Sequence, residues 1–181
     1  MQKAIANKIT MIGKGVHSGK PARLIVHPAS AEYGIWFRRV DVTDKNNLIP
    51  ALYDAVNDTQ MCTRLANEEN VEVSTVEHLM AALAGTGIQN ALIEIDGPEV
   101  PIMDGSSYPF VNAIMDAGVR ELDAPVRAIR ILKEVSISFD ETVATLLPSE
   151  VLEIDFSIDF ADQAIGLQHK ALEMANGSFV R

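Results

Sequence analysis

Hydrophobic and polar positions alternate along most of the first third of the chain and again beyond residue 126, while between them the spacing lengthens to a helical period. Residues 4–12 alternate into a strand, 22–27 form a second closed by Pro28, and 34–40 form a third, rich in aromatic and β-branched residues. Two short strands follow at 49–56 and 60–65, the second holding Cys62. Val76, Leu79, Met80 and Leu83 then fall at i, i+3, i+4 and i+7, the stripe of a helix facing a core. Ser74 stands at capping-box spacing from Glu77, and Gly85 suits a left-handed end. A strand at 91–95 leads through the turn Asp96-Gly97-Pro98 to a second helix over 107–117, whose stripe is Phe110, Val111, Ile114 and Met115 and whose stop is Gly118. Beyond it the pattern predicts strands alone, at 126–132, 135–139, 142–147 and 151–160, and 161–181 gives no clear element.

A shift of 120 residues places Ile9 on Ile129, Met11 on Ile131, Ile12 on Leu132, Val26 on Leu146, Pro28 on Pro148 and Trp36 on Phe156. Two copies of one strand layout account for this register, and coincident alternation is the competing account. The layout predicts an α+β fold: a two-layer sandwich of a mostly antiparallel sheet covered by two helices over 1–124, then the strands of an incomplete second copy over 125–181. Strands without their helices leave an apolar face to be covered by something else.

Apolar residues make up 48% of the 181, ample for a core, and no uncharged run is long enough for a membrane span. The start lacks the hydrophobic region of a signal peptide, so a cytoplasmic location is expected. Cys62 is the only cysteine, which excludes an internal disulfide and a cysteine-rich zinc site. A net charge of -10 argues against general affinity for nucleic acid or anionic membrane. The glycine-rich stretch Gly13-Lys14-Gly15-Val16-His17-Ser18-Gly19-Lys20-Pro21 fails as a P-loop, having Lys at 14 and Pro at 21 where Gly and Ser or Thr are required. It reads as a hairpin loop or as a loop touching a ligand.

Glu77 and His78 carry the candidate chemistry. On the predicted helix His78 points nearly opposite the apolar stripe, with Glu77 to one side. The small residues Ala81, Ala82 and Ala84 leave room for close approach. A carboxylate beside an imidazole is the pairing of metal-assisted hydrolysis, yet no second ligand stands at HExxH or HxxEH spacing. A capping arm for Glu77 and a solvated surface position for His78 are the plainer alternatives. Cys62 fits a small core residue better than a nucleophile, and Asp104, just ahead of the second helix, fits a cap or a site residue.

The segments Gly15-Val16-His17-Ser18-Gly19, Asp58-Thr59-Gln60-Met61-Cys62-Thr63, Ser74-Thr75-Val76-Glu77-His78-Leu79 and Pro101-Ile102-Met103-Asp104-Gly105-Ser106 resemble, in order and spacing, the N-terminal half of the UDP-3-O-acyl-N-acetylglucosamine deacetylases. That family consists of zinc enzymes of lipid A synthesis in Gram-negative bacteria. The resemblance implies two similar α+β domains with the active site between them. It implies His78 as a zinc ligand and Glu77 as the base acting on water. It places Met61 and Cys62 at the cleft mouth, and Val16 and His17 in a loop near metal and substrate. Asp104 matches a motif aspartate of open role.

The family's His-Lys-x-x-Asp motif, its later histidine acid and the insert that holds the acyl chain are missing. His169-Lys170 is followed three residues on by Glu173 and reads as chance. One imidazole alone is expected to bind Zn2+ weakly, so the 181-residue chain by itself is expected to be inactive. Three situations fit: a piece of a longer deacetylase, half of a split enzyme completed by a partner chain, or a non-catalytic relative that binds the nucleotide-sugar or regulates a full-length deacetylase. A binding module with Glu77 and His78 as decoration is the account without the family.

Overall fold

The computed structural model describes residues 1–174 and Phe179, and the chain divides into two compact units, Met1–Val126 and Arg127–Arg181. In the first unit the elements run β1 (Lys3–Ile5), β2 (Ile9–Lys14), β3 (Pro21–Pro28), β4 (Ile35–Arg39), β5 (Leu48–Pro50), a 3-10 turn (Tyr53–Ala55), β6 (Val56–Asp58), β7 (Arg64–Ala66), β8 (Glu72–Ser74), α1 (Glu77–Thr86), β9 (Ala91–Ile95), α2 (Tyr108–Ala117) and β10 (Val119–Glu121). The fold is α+β with mostly antiparallel sheets, as the hydrophobic pattern predicts.

The main sheet has the order β2-β3-β9-β4-β5, with β4 and β9 its parallel pair. Side chains alternate across it. Ala22, Leu24 and Val26 of β3, Phe37 of β4 and Ala91, Ile93 and Ile95 of β9 are buried, and their neighbours along each strand are not. Leu79, Ala82 and Leu83 of α1 and Phe110, Val111 and Ile114 of α2 complete the core. Met115, assigned to the second stripe, is 53% exposed instead, because the face that α2 buries is narrower than the sequence stripe.

Several boundaries differ from the sequence reading. The first strand is broken in two: β1 leaves the main sheet to pair with β10, an element the pattern did not show. The two short strands expected at 49–56 and 60–65 become β5, the 3-10 turn, β6 and β7, the last two in a three-stranded sheet with β8. Cys62 consequently lies in the bend between β6 and β7, not within a strand. Gly85 does not end α1; Gly87 does, at φ 74°, with Gly87 N–H on the Ala84 carbonyl and Ile88 N–H on that of Leu83. The pattern could not place this end, since Gly85 continues the helix at the ordinary cost of a helical glycine.

The second unit contains two hairpins, β11 (Val135–Phe139) with β12 (Thr142–Leu146) and β13 (Glu153–Asp159) with β14 (Leu167–Glu173). The strand expected at 126–132 is absent and Pro148 lies beyond β12, so four of the six repeat pairs fall on residues outside any strand. β14, 7 residues long, lies within the stretch that gave no clear element, and part of the remainder falls outside the described residues. Ile137, Phe139, Phe156 and Leu167 are all more than half exposed. Among the described residues no helix is long and apolar enough to cross a membrane.

Candidate active site

The residues singled out from the sequence gather where four segments of the first unit meet. The first is the start of α1. Glu77 is not the arm of a capping box: Ser74 belongs to β8 and gives its hydroxyl to the Pro98 carbonyl at 3.1 Å, and α1 starts without a side-chain cap. Instead, Glu77 Oε2 accepts the Thr63 N–H at 3.2 Å. Its charge also lies in the first turn, where the helix dipole favours it. Glu77 and His78 are both half-buried.

Glu77 thereby grips the second segment, the bend after β6. Asp58 shapes this bend by accepting the Gln60 N–H at 2.9 Å and pairing with Arg64 at 3.2 Å. Met61 takes φ 64° and is 87% exposed, with Cys62 half-buried beside it. A left-handed methionine is uncommon, and the tie between Thr63 and Glu77 holds the loop that imposes it.

The third segment is the loop after β2, where Val16 and His17 are exposed. The fourth is the loop before α2. Asp104 does not cap that helix; its Oδ1 accepts both the N–H and the hydroxyl of Ser106, at 2.9 and 2.8 Å, and the Ser106 hydroxyl in turn accepts the Tyr108 N–H. Those bonds from Ser106, with a smaller contribution from the charge of the nearby His78, hold the Asp104 carboxyl below its ordinary range. The two loops are joined by Ile102 N–H on the Lys14 carbonyl at 3.0 Å, and a Cβ at Gly13 would lie 2.8 Å from Pro101 Cβ.

Sequence reasoning missed the buried acid between these segments. Glu99 accepts the N–H groups of His17 and Ser18 and the hydroxyl of Thr75. Burial opposes its ionisation, but these donors outweigh burial and hold the carboxyl below its ordinary range. The available signal was an acid set among Pro98, Val100, Pro101 and Ile102, an apolar context that a solvated glutamate does not need.

Zinc is tested by the donor set. His78 offers one imidazole with Asp104 nearby, but among the described residues no group of three His, Cys, Asp or Glu comes together to hold an ion. A catalytic zinc takes three protein ligands, so these residues do not make up a zinc site by themselves. His169 belongs to the second unit, on β14, with its ring 2.9 Å from Asp155 of β13. A cleft of about 410 Å3 lined by His27, Tyr33, Arg38 and Glu94 contains none of the site residues.

The family model described as UDP-3-O-acyl N-acetylglycosamine deacetylase matches residues 2–181. The chain belongs to this deacetylase family. It is similar to the UDP-3-O-acyl-N-acetylglucosamine deacetylase of Idiomarina loihiensis, 51% identical over 164 residues, which are 91% of this chain and 53% of the relative. To those of Photobacterium profundum and Actinobacillus succinogenes it is 43% identical over 182 residues, covering 99% of this chain and 60% and 59% of the relatives. The chain thus spans between half and three fifths of the length of these curated deacetylases.

Acid should loosen the fold that carries the site. Asp41, through its bonds to Arg39, Glu94, through His27 and Arg38, and Glu99 are all held below their ordinary values. A carboxyl depressed in the folded state stabilises above its unfolded pKa, roughly 4, and loses that contribution as pH falls through the folded value. Melting of the chain is therefore expected to be flat between about pH 5 and 7 and to drop steadily below about pH 4. A Tm series at constant ionic strength checks this, and a Tm that rises on acidification would contradict it.

Proposed function

We propose that this chain supplies the Glu–His portion of a hydrolytic site that removes the N-acetyl group of UDP-3-O-acyl-N-acetylglucosamine, a step of lipid A biosynthesis in the cytoplasm. The observation that carries this reading is the half-buried pair Glu77 and His78 at the start of α1, with the Met61–Cys62 bend and Asp104 gathered around it, in a member of this deacetylase family. Substrate and reaction come from the names of the relatives.

The residues divide the work by geometry. Thr63 N–H holds Oε2 of Glu77, leaving Oε1 to take the proton of an attacking water. Zinc, when bound through His78 and ligands from outside the described residues, would acidify that water and polarise the acetyl carbonyl. In this reading Val16, His17, Met61 and Cys62 would line the substrate, while Asp104 keeps its bonds to Ser106. The exposed apolar positions of the second unit, Ile137 and Phe139 among them, favour completion of the cleft by further protein, in the same chain or a partner.

The test joins this chain to the C-terminal remainder of the Idiomarina loihiensis relative. The 181-residue chain alone is expected to bind zinc weakly and to leave the acetyl group in place; the joined protein is expected to bind zinc tightly and release acetate. In the joined protein His78→Ala should weaken zinc binding by more than the roughly 10–100-fold that loss of an outer-shell partner costs. Zinc affinity and hydrolysis indifferent to His78→Ala would refute the reading.

A further inference from the structure

Glu99 performs a task that the proposed chemistry does not include. Its side chain sits in a residue only 3% exposed, and its partners at Oε1 and Oε2 are neutral donors: His17 N–H at 2.9 Å and the Thr75 hydroxyl at 3.3 Å on Oε1, Ser18 N–H at 2.9 Å on Oε2. Hydrogen bonds to an ionised acceptor are about twice as strong as neutral ones. Gly15 makes the approach possible, because a Cβ there would collide with Glu99 Oε2.

Beyond its hairpin base, where Lys14 pairs with Pro21 and accepts the Ile102 N–H, the tip of the loop has no other tertiary bond among the described residues. Val16, His17, Ser18, Gly19 and Lys20 are all exposed, so no burial fixes them. Bonds within the loop, Gly15 N–H to the Lys20 carbonyl and Gly19 N–H to that of Gly15, both 3.0 Å, set its shape but not its location. On the other side, Ser74 N–H donates to the Pro98 carbonyl at 2.8 Å and Val100 N–H to the Ser74 carbonyl at 3.0 Å, so Glu99 is stitched alongside the residues that lead into α1. Thr75, the next of these, sits at φ 58°, a conformation that a β-branched residue keeps only when its surroundings dictate it.

We propose that Glu99 is a positioning residue of the active site: its carboxylate ties the loop bearing Val16 and His17 to the segment that launches Glu77 and His78. Substrate-lining loop and hydrolytic pair then keep one relative geometry. The consequence for turnover rests on the deacetylase reading above, whereas the tie itself does not.

Hydrogen exchange on the 181-residue chain tests the tie, read at the amides of His17 and Ser18 with Ile93 of β9 as reference. Glu99→Gln preserves volume but removes the charge and one acceptor oxygen. Exchange at both loop amides is expected to quicken about 10–100-fold, with Ile93 within about twofold. Gly15→Ala leaves Glu99 in place but pushes the loop away, and should give the same local pattern. Unaltered loop exchange in both variants overturns the proposal, as does equal acceleration at Ile93 in both, which would make Glu99 a general stabiliser. In the joined deacetylase Glu99→Gln should raise KM about tenfold with kcat within about threefold, and Glu99→Asp should recover part of the loss. A lower kcat at constant KM, or no kinetic change, overturns the positioning role. A joined wild-type protein without activity refutes the deacetylase reading instead, while the exchange pattern still decides the tie.

Discussion

Glu77→Gln is expected to lower amide hydrolysis by the joined deacetylase about 10²–10⁴-fold, the range of a lost general base. The substitution is close to isosteric, and the Gln carbonyl can still accept the Thr63 N–H that now reaches Oε2 at 3.2 Å. The bend carrying Met61 and Cys62 therefore stays tied to α1, and substrate contacts survive. The loss should fall on kcat, with KM nearly constant, because the missing interaction acts only as the proton moves. Steady-state kinetics on the wild type and the variant measure it. Equal loss in both parameters would point to a structural role for Glu77, and unchanged turnover would remove it from the chemistry.

Phe37→Ala is expected to produce the largest loss of stability, about 3–5 kcal/mol for a fully buried phenylalanine. Phe37 is completely buried on β4, between β5 and the parallel neighbour β9 in the main sheet. The cavity would lie beside the strand that runs on through Asp96, Gly97 and Pro98 to Glu99. A loss of this size should lower Tm by roughly 10–20 °C. Phe139→Ala is the control: at 78% exposure its removal should shift stability by no more than about 0.5 kcal/mol. Thermal melts of the two variants side by side decide it, and similar shifts would mean that Phe37 is not in the core that carries the first unit.

The hydrophobic period made the strong elements legible. β3, β4, β9 and α2 lie within a residue or two of the sequence reading, because each buries one clean face. Short strands such as β8 and β10 carry too few residues to show a period, and their pairings are decided by partners distant in sequence. The break between β1 and β2 was hidden for a related reason: β1 has only three residues, Lys3–Ile5, and its partner is β10 rather than β3. At the site, residue types were readable and contacts were not. Ser74 and Glu77 have the spacing of a cap, yet Ser74 is held in β8 and Glu77 is claimed by Thr63. Spacing describes what two residues could do in an isolated helix, and tertiary partners replaced both roles.

One rejected motif returns in a different light. The stretch from Gly13 to Pro21 has the glycines of a phosphate cradle, and its amides at His17 and Ser18 do converge on an anion, but that anion is the protein's own Glu99. The cradle is filled from within. Any anion arriving from solution would have to displace a carboxylate that the chain itself carries to the spot. While Glu99 accepts from these two amides, they are closed to any other anion.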